Sequence, residues 1–180
     1  MIMVVDDKIP GMAKEVNLNY VYMDPVTQER FDLACDELGW LYKQLVKNCL
    51  QAFFRVNKDF YIGCGLADCE ARGMKETEYY QLLRDEGEEA LKPYSGDRPI
   101  FGPSPLDKVP SVPNNPENRR RYSGITLGGY NLVLLRIAQI VSRESLVGLV
   151  SLIVKQHFSD YWEGTYLPQI YLDKECKLKG

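Results

Sequence analysis

Histidine occurs once in these 180 residues, and the five cysteines show no paired short spacing. With His157 the lone imidazole, a four-ligand zinc site would have to gather the scattered Cys35, Cys49, Cys64, Cys69 and Cys176. The gap between Cys64 and Cys69 does not suit a zinc knuckle, so the cysteines read as reduced, mostly buried thiols. No metal or cofactor is expected. No serine or cysteine sits in a nucleophile-elbow context, no glycine loop cradles phosphate, and paired carboxylates lack a setting. No catalytic residue is therefore assigned, and the chain is not expected to be an enzyme. His157, late in an apolar stretch, reads as a packed or capping side chain. Uninterrupted apolar length is missing too. The longest candidate, Leu132 to Val154, carries Arg136, Gln139, Arg143 and Glu144 near its centre, which excludes a membrane span. The start is apolar but meets Asp6 and Asp7 without a basic lead. A cytoplasmic protein without a signal peptide is expected.

Apolar residues are plentiful in total, at 45%, and charged residues make up 26%. That supports a real core, in one compact domain or two small ones. The net charge of −3 hides an uneven spread. Residues 1–92 hold 11 Lys/Arg against 17 Asp/Glu, or −6, whereas residues 118–158 hold six against one, or +5. A basic module attached to an acidic one hints at contact with a polyanion.

Seven of the ten prolines lie between Pro93 and Pro116. Proline fixes φ and removes an amide donor, so no long helix or central strand is expected there. Residues 93–116 read as an extended connector, clamped by Tyr94, Ile100, Phe101 and Leu106. The connector separates an acidic helical part (1–92) from a C-terminal part (117–180). In the first part, Leu38, Leu41, Leu45, Cys49, Ala52 and Val56 recur at helical steps. Gly63 and Gly65 are expected to interrupt that helix. A second is predicted from Lys75 to Leu91, with Glu76, Glu78, Asp85, Glu86, Glu88 and Glu89 on a solvated face. The expected fold is mainly α.

The stretch "RYSGITLGGYNLVLLRIAQIVSRESLVGLVSLIVKQHF", residues 121–158, is the most informative. Tyr122 to Leu127 alternate as a half-buried strand does. From Tyr130 to Val141 almost every position is apolar. Ser142 and Ser145 are suitable caps for a second helix from about Leu146 to Phe158. Helices apolar all round must be buried on all sides, and a lone strand leaves its backbone unpaired. The strand–helix–helix module therefore needs a partner, either another copy or residues 1–92.

This module resembles a ribbon-helix-helix DNA-binding domain of the Arc and MetJ repressor type. Val141-Ser142-Arg143-Glu144-Ser145-Leu146-Val147 stands where that family commonly has its serine-bearing connection between helices. The resemblance implies a strand paired antiparallel with its twin and inserted into the major groove of duplex DNA. Carried over, the outward strand positions are Tyr122, Gly124 and Thr126. Ser142, Arg143 and Ser145 face phosphate at a helix N-terminus, and Arg119, Arg120 and Arg121 add phosphate contacts. The implied homodimer interface includes Ile125, Leu127, Leu132, Leu135, Leu149 and Ile153. The function implied is that of a small transcriptional regulator or accessory protein.

At an offset of 94, Phe31/Ile125, Leu33/Leu127, Leu38/Leu132, Leu41/Leu135 and Val46/Ile140 agree in character. If that echo is a repeat, one chain carries both halves of such a unit. The alternative is a helical protein–protein interaction module that binds no nucleic acid. Its contacts would come from the acidic part or from the aromatics Tyr161, Trp162, Tyr166 and Tyr171.

Overall fold

Asp24 starts the first long helix: its Oδ1 accepts from the Thr27 amide at 2.8 Å, and Pro25 occupies the first turn. Helix α1 (Pro25–Leu38) ends where Gly39 turns left-handed, at φ 71°. The computed structural model describes residues 8–179, so the apolar start and Asp6–Asp7 lie outside it. Helix α2 (Tyr42–Ala71) runs straight through Gly63 and Gly65, where the sequence predicts a break. Gly65 is explained by packing: a Cβ there would lie 2.6 Å from Ile137 Cδ1. Helix α3 (Glu76–Asp85) stops short of the predicted Leu91, because Gly87 takes φ 85° and a 3-10 segment, Glu88–Tyr94, follows. After the connector come α4 (Gly129–Ser142), α5 (Leu146–Tyr161), a π-helical turn (Trp162–Tyr166) and α6 (Leu167–Lys179). The chain is mainly helical, and α5 begins at Leu146 behind the Ser145 cap, whose Oγ accepts from the Gly148 amide.

Four short strands lie among the described residues: β1 (Lys14–Val16), β2 (Tyr20–Tyr22), β3 (Arg119–Arg121) and β4 (Ile125–Leu127). β1 pairs antiparallel with β4, and β2 with β3. Lys14 faces Leu127, Val16 faces Ile125, Tyr20 faces Arg121 and Tyr22 faces Arg119. The register does not slip between the two ladders, so they form one two-stranded ribbon that opens at its middle. There the Leu18 amide donates to Val16 O and the Tyr122 amide to Asn19 O. The strand expected over 122–127 is thus shorter, and its backbone is paired inside the chain rather than with a second copy.

The ribbon sits on a pair of strand–helix–helix units related by an offset of 104 residues. Pro25 and Gly129 open α1 and α4, and the left-handed Gly39 and Arg143 close them. Leu41 and Ser145 stand, extended, before α2 and α5. Burial repeats at the same interval. Phe31/Leu135, Ala34/Ala138, Leu45/Leu149, Val46/Val150, Cys49/Ile153, Leu50/Val154 and Phe54/Phe158 are all buried. The echo at an offset of 94 is corrected by this alignment, which pairs elements in true register. Packing crosses between the units: α1 lies on α5, α2 lies on α4, and β2 lies on α5, with α2 against α5 at the centre.

Ile125, Leu127, Leu132, Leu135, Leu149 and Ile153 are all buried within this single chain. Their expected place in an interface between copies is corrected accordingly, because α1, α2, α3 and the N-terminal strands pack over these elements within the chain. The acidic and basic parts share one hydrophobic core. The connector is pinned along that core. Arg98 donates to Ile140 O and Val141 O, Gln156 donates to Pro105 O, and Leu106 is buried. Ile100 and Tyr94 of the expected clamp are exposed instead. No single helix among the described residues is long and apolar enough to cross a membrane.

Candidate nucleic-acid interface

Because side chains alternate along a strand, the ribbon has two faces. The open middle shifts the alternation by one residue in each strand. Inward-facing positions are therefore Val16, Leu18, Val21 and Met23 on one strand, and Arg120, Tyr122, Ile125 and Leu127 on the other. These also obey the 104-residue offset. The outward positions are Glu15, Asn17, Tyr20 and Tyr22 across from Arg119, Arg121, Gly124 and Thr126.

The alternation shift overturns part of the expected site. Tyr122 is not an outward base reader: its ring packs on the core and its hydroxyl is buried without a partner among the described residues. Burial pushes that phenol well above its ordinary range. Arg120 also turns inward. Its Nε and Nη2 fork onto the two Asp32 carboxylate oxygens at 3.2 and 2.8 Å, and Nη2 also reaches Gln28 Oε1 at 3.3 Å. The hydrogen bonds to Asp32 raise its pKa further. Arg120 is a structural clamp between ribbon and α1, with its fork occupied.

Arg119 and Arg121 stay on the outer face. The Arg119 guanidinium lies 4.6 Å above the Tyr20 ring and 5.6 Å from the Tyr22 ring. Its Nη2 donates to Tyr22 Oη at 3.2 Å, and its Nε has no partner among the described residues. Tyr20 and Tyr22 meet edge to face at 5.7 Å. Arg121 is exposed, opposite Tyr20. Sequence reasoning does not pick out Tyr20 and Tyr22. The "YVYMDP" stretch carries the signal, alternating aromatics that run into a capped helix.

Thr126 is exposed on the same face, opposite Glu15. Gly124 lies beside it, where a Cβ would sit 3.3 Å from Glu15 Oε1. At the α4–α5 turn, Ser142 Oγ accepts from the Glu144 amide, Arg143 is exposed at φ 59°, and Ser145 Oγ caps α5. The Glu144 carboxylate lies against the first turn of α5, close enough that a Cβ on Gly148 would meet it at 3.0 Å. It serves the positive helix end from within the chain. An open cleft of about 490 Å³ borders this turn, lined by Arg98, Phe101, Asp107, Ser142, Arg143 and Leu152 among others.

Four thiols and the one histidine are enclosed in the fold. Cys35, Cys49, Cys64 and Cys69 are buried free thiols, and burial raises each of them. His157 Nε2 lies 2.6 Å from Tyr166 Oη, and burial lowers its pKa to about 4. Trp162 and Tyr166 are buried against the core, whereas Tyr171 is exposed. No family model, no curated protein and no solved structure matches this chain.

Proposed function

We propose that the chain is a single-chain ribbon-helix-helix unit that binds duplex DNA, with the ribbon directed into the major groove. The observation that carries this reading is the antiparallel ribbon, two ladders in one register over four crossed helices, with Tyr20, Tyr22, Arg119 and Arg121 on its outer face. A two-stranded ribbon fits the major groove, and arginine forks match both phosphate oxygens and the O6/N7 edge of guanine. The unit needs no second copy, since its apolar helices are covered within the chain. At the α4–α5 turn Glu144 already serves the helix end, so the contribution expected there is the exposed Arg143 guanidinium to a backbone phosphate. A DNA-binding regulator or accessory protein is the role this supports.

A second reading has its own observation. Tyr171, Leu172 and Leu178 of α6 are exposed, at 61%, 63% and 87%. An apolar stripe of this kind on a terminal helix suits a protein partner. A salt titration on duplex DNA separates the two readings. Binding on the order of micromolar or tighter at low ionic strength, falling steeply with salt, is expected of the first. Absence of salt-dependent binding to any duplex would leave the protein-interaction module in its place.

A further inference from the structure

The ribbon's backbone is two-fold symmetric in its register, but its outward side chains are not. The 104-residue offset relates Arg119 to Glu15, Arg121 to Asn17, Tyr22 to Thr126 and Tyr20 to Gly124. One end of the outer face therefore carries two arginines and two tyrosines. The other carries a carboxylate, an amide, a hydroxyl and a bare glycine. Lys14, at the acidic end, gives its ammonium to Asp85 O at 2.5 Å. The asymmetry extends to the helix turns: Ser142, Arg143 and Ser145 correspond to Leu38, Gly39 and Leu41. Leu41 provides no side-chain cap.

We propose that this chain recognises a non-palindromic duplex, reading bases through the Tyr20–Tyr22–Arg119–Arg121 end and not through the Glu15–Asn17–Gly124–Thr126 end. The inference rests on the DNA-binding reading and specifies its target. Dimeric readers favour palindromes because equal side chains recur on both sides of the two-fold axis. Here the fold keeps the axis while the reading residues break it. At the basic end, the stacked Arg119 has little rotamer freedom left to lose, and it holds its positive charge over the two tyrosines of the outer face. Arg121 offers its full fork to a guanine edge or a phosphate. At the acidic end Glu15 can only accept, which repels phosphate and leaves the amino donors of cytosine N4 and adenine N6 as its base partners. Gly124 provides no side chain at all.

The test is selection of the full chain on duplexes with a randomised core of about two helical turns, roughly 20 base pairs, followed by sequencing. A motif unlike its own reverse complement, with guanine preference confined to one half, is expected. A palindromic motif with equal preference in both halves would overturn the inference while leaving DNA binding intact. Retention of no duplex at low salt would instead sink the DNA reading, and this inference with it. As a second measurement, Arg121→Ala should reduce discrimination in the preferred half by about tenfold per contacted pair, the scale of one bidentate contact. Equal loss in both halves would count against the proposal. Arg121 is exposed and without an ion pair among the described residues, so the variant should fold.

Discussion

Gly39 and Arg143 hold the same left-handed backbone conformation 104 residues apart, each closing the first helix of its unit. For glycine this costs little. For a residue with a Cβ it costs about 1–2 kcal/mol, and Arg143 is the one non-glycine residue at positive φ among those described. Nothing in the packing demands an arginine there, since the side chain is exposed. The strain is compatible with a positively charged group held at the α5 entrance for a ligand. Arg143→Gly should therefore stabilise the fold by about 1 kcal/mol, which for a chain of this size raises Tm by roughly 2–4 °C. The same change should lower DNA affinity and flatten the salt slope by up to about one unit. Paired thermal melts and salt titrations check both signs. Lost stability, or unchanged binding, would remove Arg143 from the interface.

The chain should be a monomer. The apolar surfaces that called for a second copy are covered by α1, α2, α3, β1 and β2. Sedimentation at micromolar concentration should return the single-chain mass, 20.7 kDa. Leu149→Ala should cost about 2–5 kcal/mol, as cavity-forming changes do. Its unfolding midpoint should not depend on protein concentration, as it would for an obligate dimer. A stable dimer with a concentration-dependent midpoint would contradict this arrangement.

Two neighbouring arginines should behave oppositely. Arg120 is spent on Asp32 and Gln28, so Arg120→Ala should destabilise the fold by about 1 kcal/mol. The salt slope of DNA binding should stay near its original value. Arg121→Ala should leave the melt almost unchanged and weaken binding to the preferred duplex by about tenfold, the scale of one bidentate base contact. If Arg120→Ala weakens DNA binding as much as Arg121→Ala, the inward placement of Arg120 is wrong in solution.

The C-terminal unit is legible in the sequence because its signals are local. Ser142 and Ser145 mark the turn, and the run from Tyr130 to Val141 is too apolar to face water. The N-terminal unit is hidden although its backbone path is the same. Val133, Leu134 and Ile140 of α4 correspond to Glu29, Arg30 and Asp36 of α1. The difference follows from what covers each helix. α3 packs on α4, whereas α6 covers α1 only in part, with Lys174 and Lys177 reaching Glu37. A face open to water evolves charge and loses the apolar pattern that a repeat search needs. Arg120 and Tyr122 escape a sequence reading for another reason. The alternation slips where the ribbon opens, and the sequence carries no sign of that slip.

Helix α2 contains two glycines with opposite expected responses. Gly63 is exposed, and a methyl group added there would meet nothing within 4 Å. Gly63→Ala should therefore stabilise by about 0.5–1 kcal/mol, through reduced backbone entropy in the unfolded chain. At Gly65 the methyl would press on Ile137 Cδ1 at 2.6 Å. Gly65→Ala should cost about 1–3 kcal/mol, the range for overpacking, unless the isoleucine turns aside. Denaturant titration of the two variants gives the comparison. Equal stabilisation by both would mean that α2 and α4 do not approach this closely in solution.

His157 occupies the position that Phe53 holds in the first unit, and it is buried against Tyr166, Phe158 and Tyr161. Burial lowers its pKa from 6.5 to about 4, so the folded chain prefers the neutral imidazole. Above about pH 6.5 neither the folded nor the unfolded chain protonates this residue, and its contribution is fully present. Between pH 6.5 and 4 the unfolded chain takes up the proton and the folded chain does not, so stability falls as pH falls. Linkage puts the loss from pH 7 to pH 5 at about 2 kcal/mol for this one group. His157→Phe, which restores the residue of the other unit, should remove that part of the acid sensitivity. It should also cost about 1 kcal/mol at pH 7, because the Tyr166 hydroxyl loses its 2.6 Å partner. Urea titrations of both proteins at pH 7 and pH 5 measure the difference directly. If the variant loses as much stability on acidification as the wild type, His157 titrates normally and is not enclosed as the structure has it.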